Sequence, residues 1–337
     1  MKKRITIEDI AQASHVSVAT VSLVMRGRTG INIETRKRVE QVARALGYQR
    51  RQSRHEQHVQ RISVLMRQQP ASNTDHDTIE SRILHGIEDV CRRRGIRDDV
   101  RQVVLDDMTM ANKPILFPQH YEYDGVIGVG VTADHDLAHS VRDANIPCVL
   151  VDVDSPSVLF DTVHVDYEQA VNDLVAYLVA IGHRSIVLFD NAGGSHTWQS
   201  SIKQAMHRFG MIDPFVCVVD SSPNAVQERL HELFQYHPHV SVIVCRNDIC
   251  AMHVVQQLQY MRRYVPQTIS VVGFHDVMTI PDTASLTTIR VDADALGVLA
   301  VQTLLHRIEW PNMPRIITTV QATLVIRQST QPNGIHG

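Results

Sequence analysis

The sequence predicts an α/β chain with two parts: a three-helix head of helix-turn-helix type and a two-lobed core of doubly wound parallel sheets. Three observations carry this. Residues 1–48 hold three helical patterns joined by short turns. From residue 62 to about 330, short β-branched runs alternate with helical patterns. The charge is divided between the parts. Residues 1–54 hold twelve Lys/Arg against four Asp/Glu, or +8, and the rest holds 33−12=21 against 36−4=32, or −11. A basic head on an acidic body suits a phosphate-binding module attached to a domain that does not bind nucleic acid.

In the head, Thr6 reads as an N-cap with Asp9 in the capping-box position, opening a helix over 7–14. Ser17 caps a second helix, Val18–Met25, after only His15 and Val16. Helices joined by so tight a turn cross steeply. Gly27 stops the second helix. Asn32 caps a third over 33–46, with Gly47 at its C′ position. Ile10, Ala11, Val16, Val21, Val24, Val39, Val42 and Leu46 are the expected core. The tight turn, the positive charge and the small polar residues opening the second helix favour a recognition helix in a DNA major groove.

Residues 49–61 read as a basic linker. In the core, strands are expected at 62–66, 100–105, 125–129, 148–151, 185–189, 215–219, 242–245 and 269–272. Helices fall near 79–94, 134–144, 167–181, 198–209, 224–235 and 248–259. Near-continuous apolar strands with intervening helices imply parallel sheets covered on both faces. A break near 152–165 divides them into lobes: the first about 62–157 plus 287–313, the second about 158–286 plus 314–330. Ligands in such sheets bind beyond the carboxyl ends of the strands, so the cleft between lobes is the default pocket.

Several functions are disfavoured. No apolar run approaches the ~18 residues that span a bilayer, and no apolar h-region follows the basic N-terminus. A cytoplasmic protein is expected. The five cysteines lack CxxC spacing and read as buried reduced thiols. Gly128-Val-Gly130 lacks a third glycine, no phosphate-binding GxxxxGK[ST] occurs, and His231-Glu232 lacks the second His of a zinc helix. No catalytic residue, cofactor or metal site is expected.

The head resembles the lactose-repressor (LacI/GalR) family. The resemblance rests on Thr6-Ile-Glu-Asp-Ile-Ala11, Val16-Ser-Val-Ala-Thr-Val-Ser22, Glu34-Thr-Arg-Lys-Arg-Val39 and Leu46-Gly-Tyr48. It implies a transcription regulator, in repressor form, that binds a pseudo-palindromic double-stranded operator as a homodimer. It places Ser17, Val18, Ala19, Ser22 and Leu23 against bases, and Thr6, Thr20, Asn32, Thr35 and Tyr48 on the phosphate backbone. The family has Gly where this chain has His15, a residue type enriched at positive φ, so the turn is expected to survive. It has Arg where this chain has Leu23, which packs on a thymine methyl but does not read guanine. Arg26 stands where Asn is usual; it suits a solvated or phosphate-bound position, with a compensating base contact as the alternative. The family's apolar minor-groove wedge falls at Gln57, with Arg54 at its Ala position, so either the bend is weaker or this basic linker holds phosphates electrostatically, through residues such as Arg51.

Gly182-His-Arg-Ser-Ile186, Asn247-Asp248, Ser270-Val-Val-Gly-Phe274 and Leu286-Thr-Thr-Ile289 are similar to the family's regulatory core, itself like periplasmic sugar-binding proteins. There the resemblance implies a small effector between the lobes, met by Trp198, Asn247, Asp248 and His275. Trp198 replaces an Arg and His275 an Asp. A sugar stacked on the indole, another ligand, a partner protein, or no effector each fits that set.

Overall fold

The structure is a computed structural model that describes residues 7–25, 32–46, 59–67, 78–103, 123–131, 141, 146–152, 159–191, 196–219, 222–277 and 285–334. They fall into two compact units, Met1–Glu56 and Gln57–Gly337.

The first unit contains helices α1 (Ile7–Ser14), α2 (Val18–Met25) and α3 (Ile33–Ala45). Ile10, Ala11, Val21, Val24, Val39 and Ala43 are its buried core, with Val16 and Val42 packed against them. Leu46 departs from expectation. It lies one residue past the end of α3 and is 37% exposed.

The second unit runs β1 (Arg61–Arg67), α4 (Ile79–Arg94), β2 (Arg97–Val103), β3 (Gly125–Val129), β4 (Cys148–Val151), β5 (Asp161–Asp166), α5 (Glu168–Ala180), β6 (Ile186–Asn191), α6 (His196–Arg208), β7 (Phe215–Val219), α7 (Pro223–Tyr236), β8 (Val242–Cys245), α8 (Asp248–Tyr260), β9 (Ser270–His275), β10 (Thr287–Arg290), α9 (Ala293–Glu309), β11 (Ile317–Gln321) and β12 (Thr323–Val325). The expected helix 134–144 lies outside the described residues apart from Val141.

The strands form two six-stranded sheets, ordered β11-β5-β4-β3-β1-β2 and β12-β10-β9-β8-β6-β7. Every neighbouring pair is parallel except β10–β12. Both sheets share one winding: the chain starts at an inner strand, steps outward, then crosses back. The strand order therefore reverses between β1 and β3 in one sheet and between β6 and β8 in the other. Those switch points are where such folds open a crevice.

The lobe boundaries differ from those read in the sequence. Residues 161–166 and 317–321 belong to the first sheet, and 287–290 to the second. Long-range clamps decide this. Arg307 on α9 donates from Nε and Nη2 to Asp161 at 2.7 and 2.8 Å, and Asp161 also accepts from Ile316 N–H, so β11 is delivered to β5. Thr288 on β10 bonds Asp248 of the second sheet's α8. Helix α9 returns to the first lobe and packs on α4 through Gly86 and Gly297. A Cβ on Gly297 would collide with the backbone of Ile83 and Ile87, so the two helix backbones nearly touch.

All five cysteines are free and buried. Burial pushes the Cys91 and Cys148 thiols up to about 12, which keeps them protonated and inert. Among the described residues, no helix is long and apolar enough to cross a membrane.

Candidate functional site

Two sites follow from these units. In the head, the turn between α1 and α2 is closed by backbone bonds from His15 N–H to Gln12 and from Val16 N–H to Ala11. This is the Schellman arrangement, and it requires a left-handed residue at C′. His15 supplies it with φ 55°. Ser14 is buried and donates its hydroxyl to the Ile10 carbonyl at 2.6 Å. The turn thus fixes where α2 begins.

Ser17 caps α2: its Oγ accepts from Thr20 N–H at 3.0 Å and lies 2.8 Å from Thr20 Oγ1. Val18 is 46% exposed although Val21 and Val24 of the same helix are buried. The opening turn of α2 therefore presents a hydroxyl and an isopropyl group to solvent while the rest of the helix is anchored. Asn32 caps α3, its Oδ1 accepting from Glu34 N–H at 3.0 Å. Thr35 is half-buried in the first turn of α3. Ala19, Ser22 and Leu23 lie on α2. Thr6, Arg26, Tyr48 and Arg51 lie outside the described residues.

The second site gathers at the carboxyl ends of β6, β8 and β9, around the second sheet's switch point. Trp198, on α6, is 3% exposed. Its ring meets the Phe274 ring edge-on at 5.8 Å, and the Arg246 guanidinium lies 5.5 Å from the indole centroid. His275 sits beside Phe274 and faces Tyr167 at the crossover from the first lobe. Burial first, and then the Arg246 charge, push the His275 imidazole down to about 3, so it is neutral at physiological pH. His275 and Asp276 both take left-handed backbone, φ 91° and 58°. Asp276 is held there by Arg290 at 2.7 Å and by Arg327 at 2.7 and 2.8 Å. The end of β9 is thus strained and clamped.

The structure corrects one expectation. Asp248 is not available to a ligand. It is buried, and its oxygens accept from Phe274 N–H at 3.0 Å, Val277 N–H at 2.8 Å and Thr288 Oγ1 at 3.2 Å. Gly273 makes this possible, because a Cβ there would collide with the Asp248 carboxylate. Burial raises the Asp248 carboxyl to about 6. Asn247 is the N-cap of α8, accepting from Cys250 N–H at 2.8 Å.

Sequence reasoning missed Arg246 and Asp190. Asp190 is fully buried near the end of β6; Gln199 Nε2 donates to its Oδ2 at 2.6 Å, and Arg246 Nε stands 3.8 Å from its Oδ1. The available signal was a charged residue ending or following each of two otherwise apolar strands, β6 and β8, which flank the switch point.

Residues 6–51 match the bacterial regulatory proteins of the lacI family, and residues 175–330 match the periplasmic binding protein-like domain. The chain thus combines a lacI-family helix-turn-helix head with a periplasmic binding protein-like domain. It is 25% identical to the HTH-type transcriptional repressor CytR of Escherichia coli (strain K12), over 97% of this chain and 96% of the relative. It is 26% identical to the HTH-type transcriptional regulator PtxS of Pseudomonas putida, over 98% of this chain and 97% of the relative. Its fold is similar to a complex of the transcriptional regulator CelR with cellobiose (19% identity, 97% of this chain and 100% of that one, TM-score 0.69). It is equally similar to the Lac repressor dimer bound to operator and the anti-inducer ONPF (21% identity, 98% and 100%, TM-score 0.69). With this head and these relatives, the chain is a DNA-binding transcription regulator rather than an enzyme.

Proposed function

We propose that this regulator is a homodimeric repressor that works in the cytoplasm and releases a pseudo-palindromic operator when a small effector binds between its lobes. The observation that carries the DNA half is the opening turn of α2, where Ser17 and Val18 are exposed above an anchored helix. Ser17, Val18, Ala19, Ser22 and Leu23 meet base edges. Thr6, Thr20, Asn32, Thr35, Tyr48, Arg26 and Arg51 meet phosphates, so affinity falls steeply with salt. Half-sites lie about one helical turn apart. Trp198, Asn247 and His275 face the effector, and Asp248 acts through the pocket wall. The sugar ligands named for related structures, cellobiose and ribose, support a sugar-sized effector.

Selection from random duplexes with the full-length protein tests this. An enriched inverted repeat is expected; enrichment of none overturns the reading. Leu23→Arg is expected to shift preference toward guanine at one position per half-site, by about 10-fold or more. An unchanged preferred sequence removes Leu23 from the base-reading set.

A further inference from the structure

The effector end of the second sheet carries two polar groups with nothing to bond. Arg246 Nη1 and Trp198 Nε1 are both buried and without a hydrogen-bond partner. They belong to side chains stacked on each other, at the switch point between β6 and β8. A buried donor without an acceptor is costly, and more so when the donor is charged. The acid paired with this guanidinium does not hydrogen-bond its Nη1. Asp190 Oδ1 stays 3.8 Å from Arg246 Nε, outside hydrogen-bond range, and its Oδ2 is engaged by Gln199. Among the described residues, the carboxylates of Asp248 and Asp276 are committed too: Asp248 to Phe274, Val277 and Thr288, and Asp276 to Arg290 and Arg327.

Resting on the effector reading above, we propose that Arg246 and Trp198 form a subsite for the anionic oxygens of a small hydroxylated metabolite, a carboxylate or a phosphate monoester. A guanidinium N–H and an indole N–H side by side suit a group with two or more acceptor oxygens, and charge-assisted bonds of this kind are roughly twice as strong as neutral ones. A neutral hydroxyl or a water also satisfies the donors, but without the charge assistance that an anionic oxygen brings. Asp276 is outnumbered by its two arginines, and the charge of Asp190 is offset by Arg246 itself. His275 and Asn247, on adjoining strand ends, remain for the ligand's hydroxyls.

The test is thermal denaturation of the full-length protein at constant ionic strength with matched sets: D-glucose, D-gluconate and D-glucose 6-phosphate, then D-ribose, D-ribonate and D-ribose 5-phosphate. An acidic member is expected to raise Tm by about 5 °C near saturation while its neutral parent does not; the carboxylate and phosphate arms separate the two chemistries. Arg246→Gln, which keeps stacking on Trp198, is expected to weaken the acid about 10- to 100-fold. Trp198→Phe, which keeps the ring and loses only the N–H, weakens it about 5- to 10-fold. The Tm of each unliganded variant reports whether it is folded. A neutral parent that binds as tightly as its acid, or an Arg246→Gln protein that binds the acid like wild type, overturns the anionic subsite and leaves the effector reading standing. A Tm unmoved by all six, with a selected duplex that none of them releases, overturns both.

Discussion

The head and the strand ends of the second lobe use polar groups in opposite ways. In the head they bond close neighbours in sequence: Ser17 with Thr20, and Asn32 with Glu34. At the strand ends they bond across the chain: Asp248 with residues 26, 29 and 40 positions away, and Arg327 with Asp276 at 51. Local caps fix where a helix starts and leave its outward side chains free to change. Long-range clamps fix a pocket wall, and each member carries several others. Substitutions therefore act weakly and locally in the head's turns, and strongly and remotely at the pocket.

The sharpest way to break that contrast is Gly273→Ala. The added Cβ collides with the Asp248 carboxylate and crowds Leu286, unseating a group that satisfies three donors on two strands and a loop. A loss of about 4 kcal/mol is expected in chemical denaturation of the core. A loss below about 1 kcal/mol would show that the clamp is dispensable and the two regions behave alike.

The same difference in range explains what was legible in the sequence. The bounds of α1 and α2 follow from Ser17, His15 and the apolar spacing, all within a few residues of the feature they set. Four strands, 125–129, 148–151, 215–219 and 242–245, are apolar runs that announce themselves. Strand β5, Asp-Thr-Val-His-Val-Asp, is polar at both ends and reads as a break between lobes; only its bonds to Arg307 and β11 make it a strand of the first sheet. In the pocket, Trp198 and His275 stood out as replacements at familiar positions. Arg246 and Asp190 did not, because what joins them is a sheet order that brings β6 beside β8. The inward turn of Asp248 was equally hidden, since its partners lie on β9, β10 and the loop between them.

A second contrast lies inside the pocket wall and is read by pH. Asp248 is raised from an ordinary 3.8 to about 6, so the stability it contributes is complete below about pH 4 and is lost as pH rises through 6. His275 is lowered from 6.5 to about 3, so its contribution is complete above about pH 6.5 and is lost as pH falls toward 3. Between pH 4 and 6 the two slopes oppose. Asp248→Asn removes one and is expected to make Tm fall more steeply on acidification than in wild type. His275→Gln removes the other and is expected to make the core gain stability from pH 6 to 4, by about 1–3 kcal/mol. Parallel Tm-against-pH curves for wild type and both variants would contradict the burial of these groups.

The smallest expected effect has the opposite sign and belongs to the head. His15 holds a left-handed backbone with an exposed side chain, a conformation that costs a non-glycine residue about 1 kcal/mol. Glycine adopts it freely but loses more entropy on folding, which offsets part of the gain. His15→Gly is therefore expected to stabilise the head by about 0.5 kcal/mol, seen as a small rise in the head's own unfolding midpoint. Because the turn is closed by the backbone bonds of residues 15 and 16 to α1 rather than by the imidazole, α2 should start at the same place and the selected duplex sequence should not change. A fall in stability would mean that the imidazole makes a contact worth more than the strain. The head would then share the pocket's habit of building position from a specific side chain, and the contrast between the two regions would narrow.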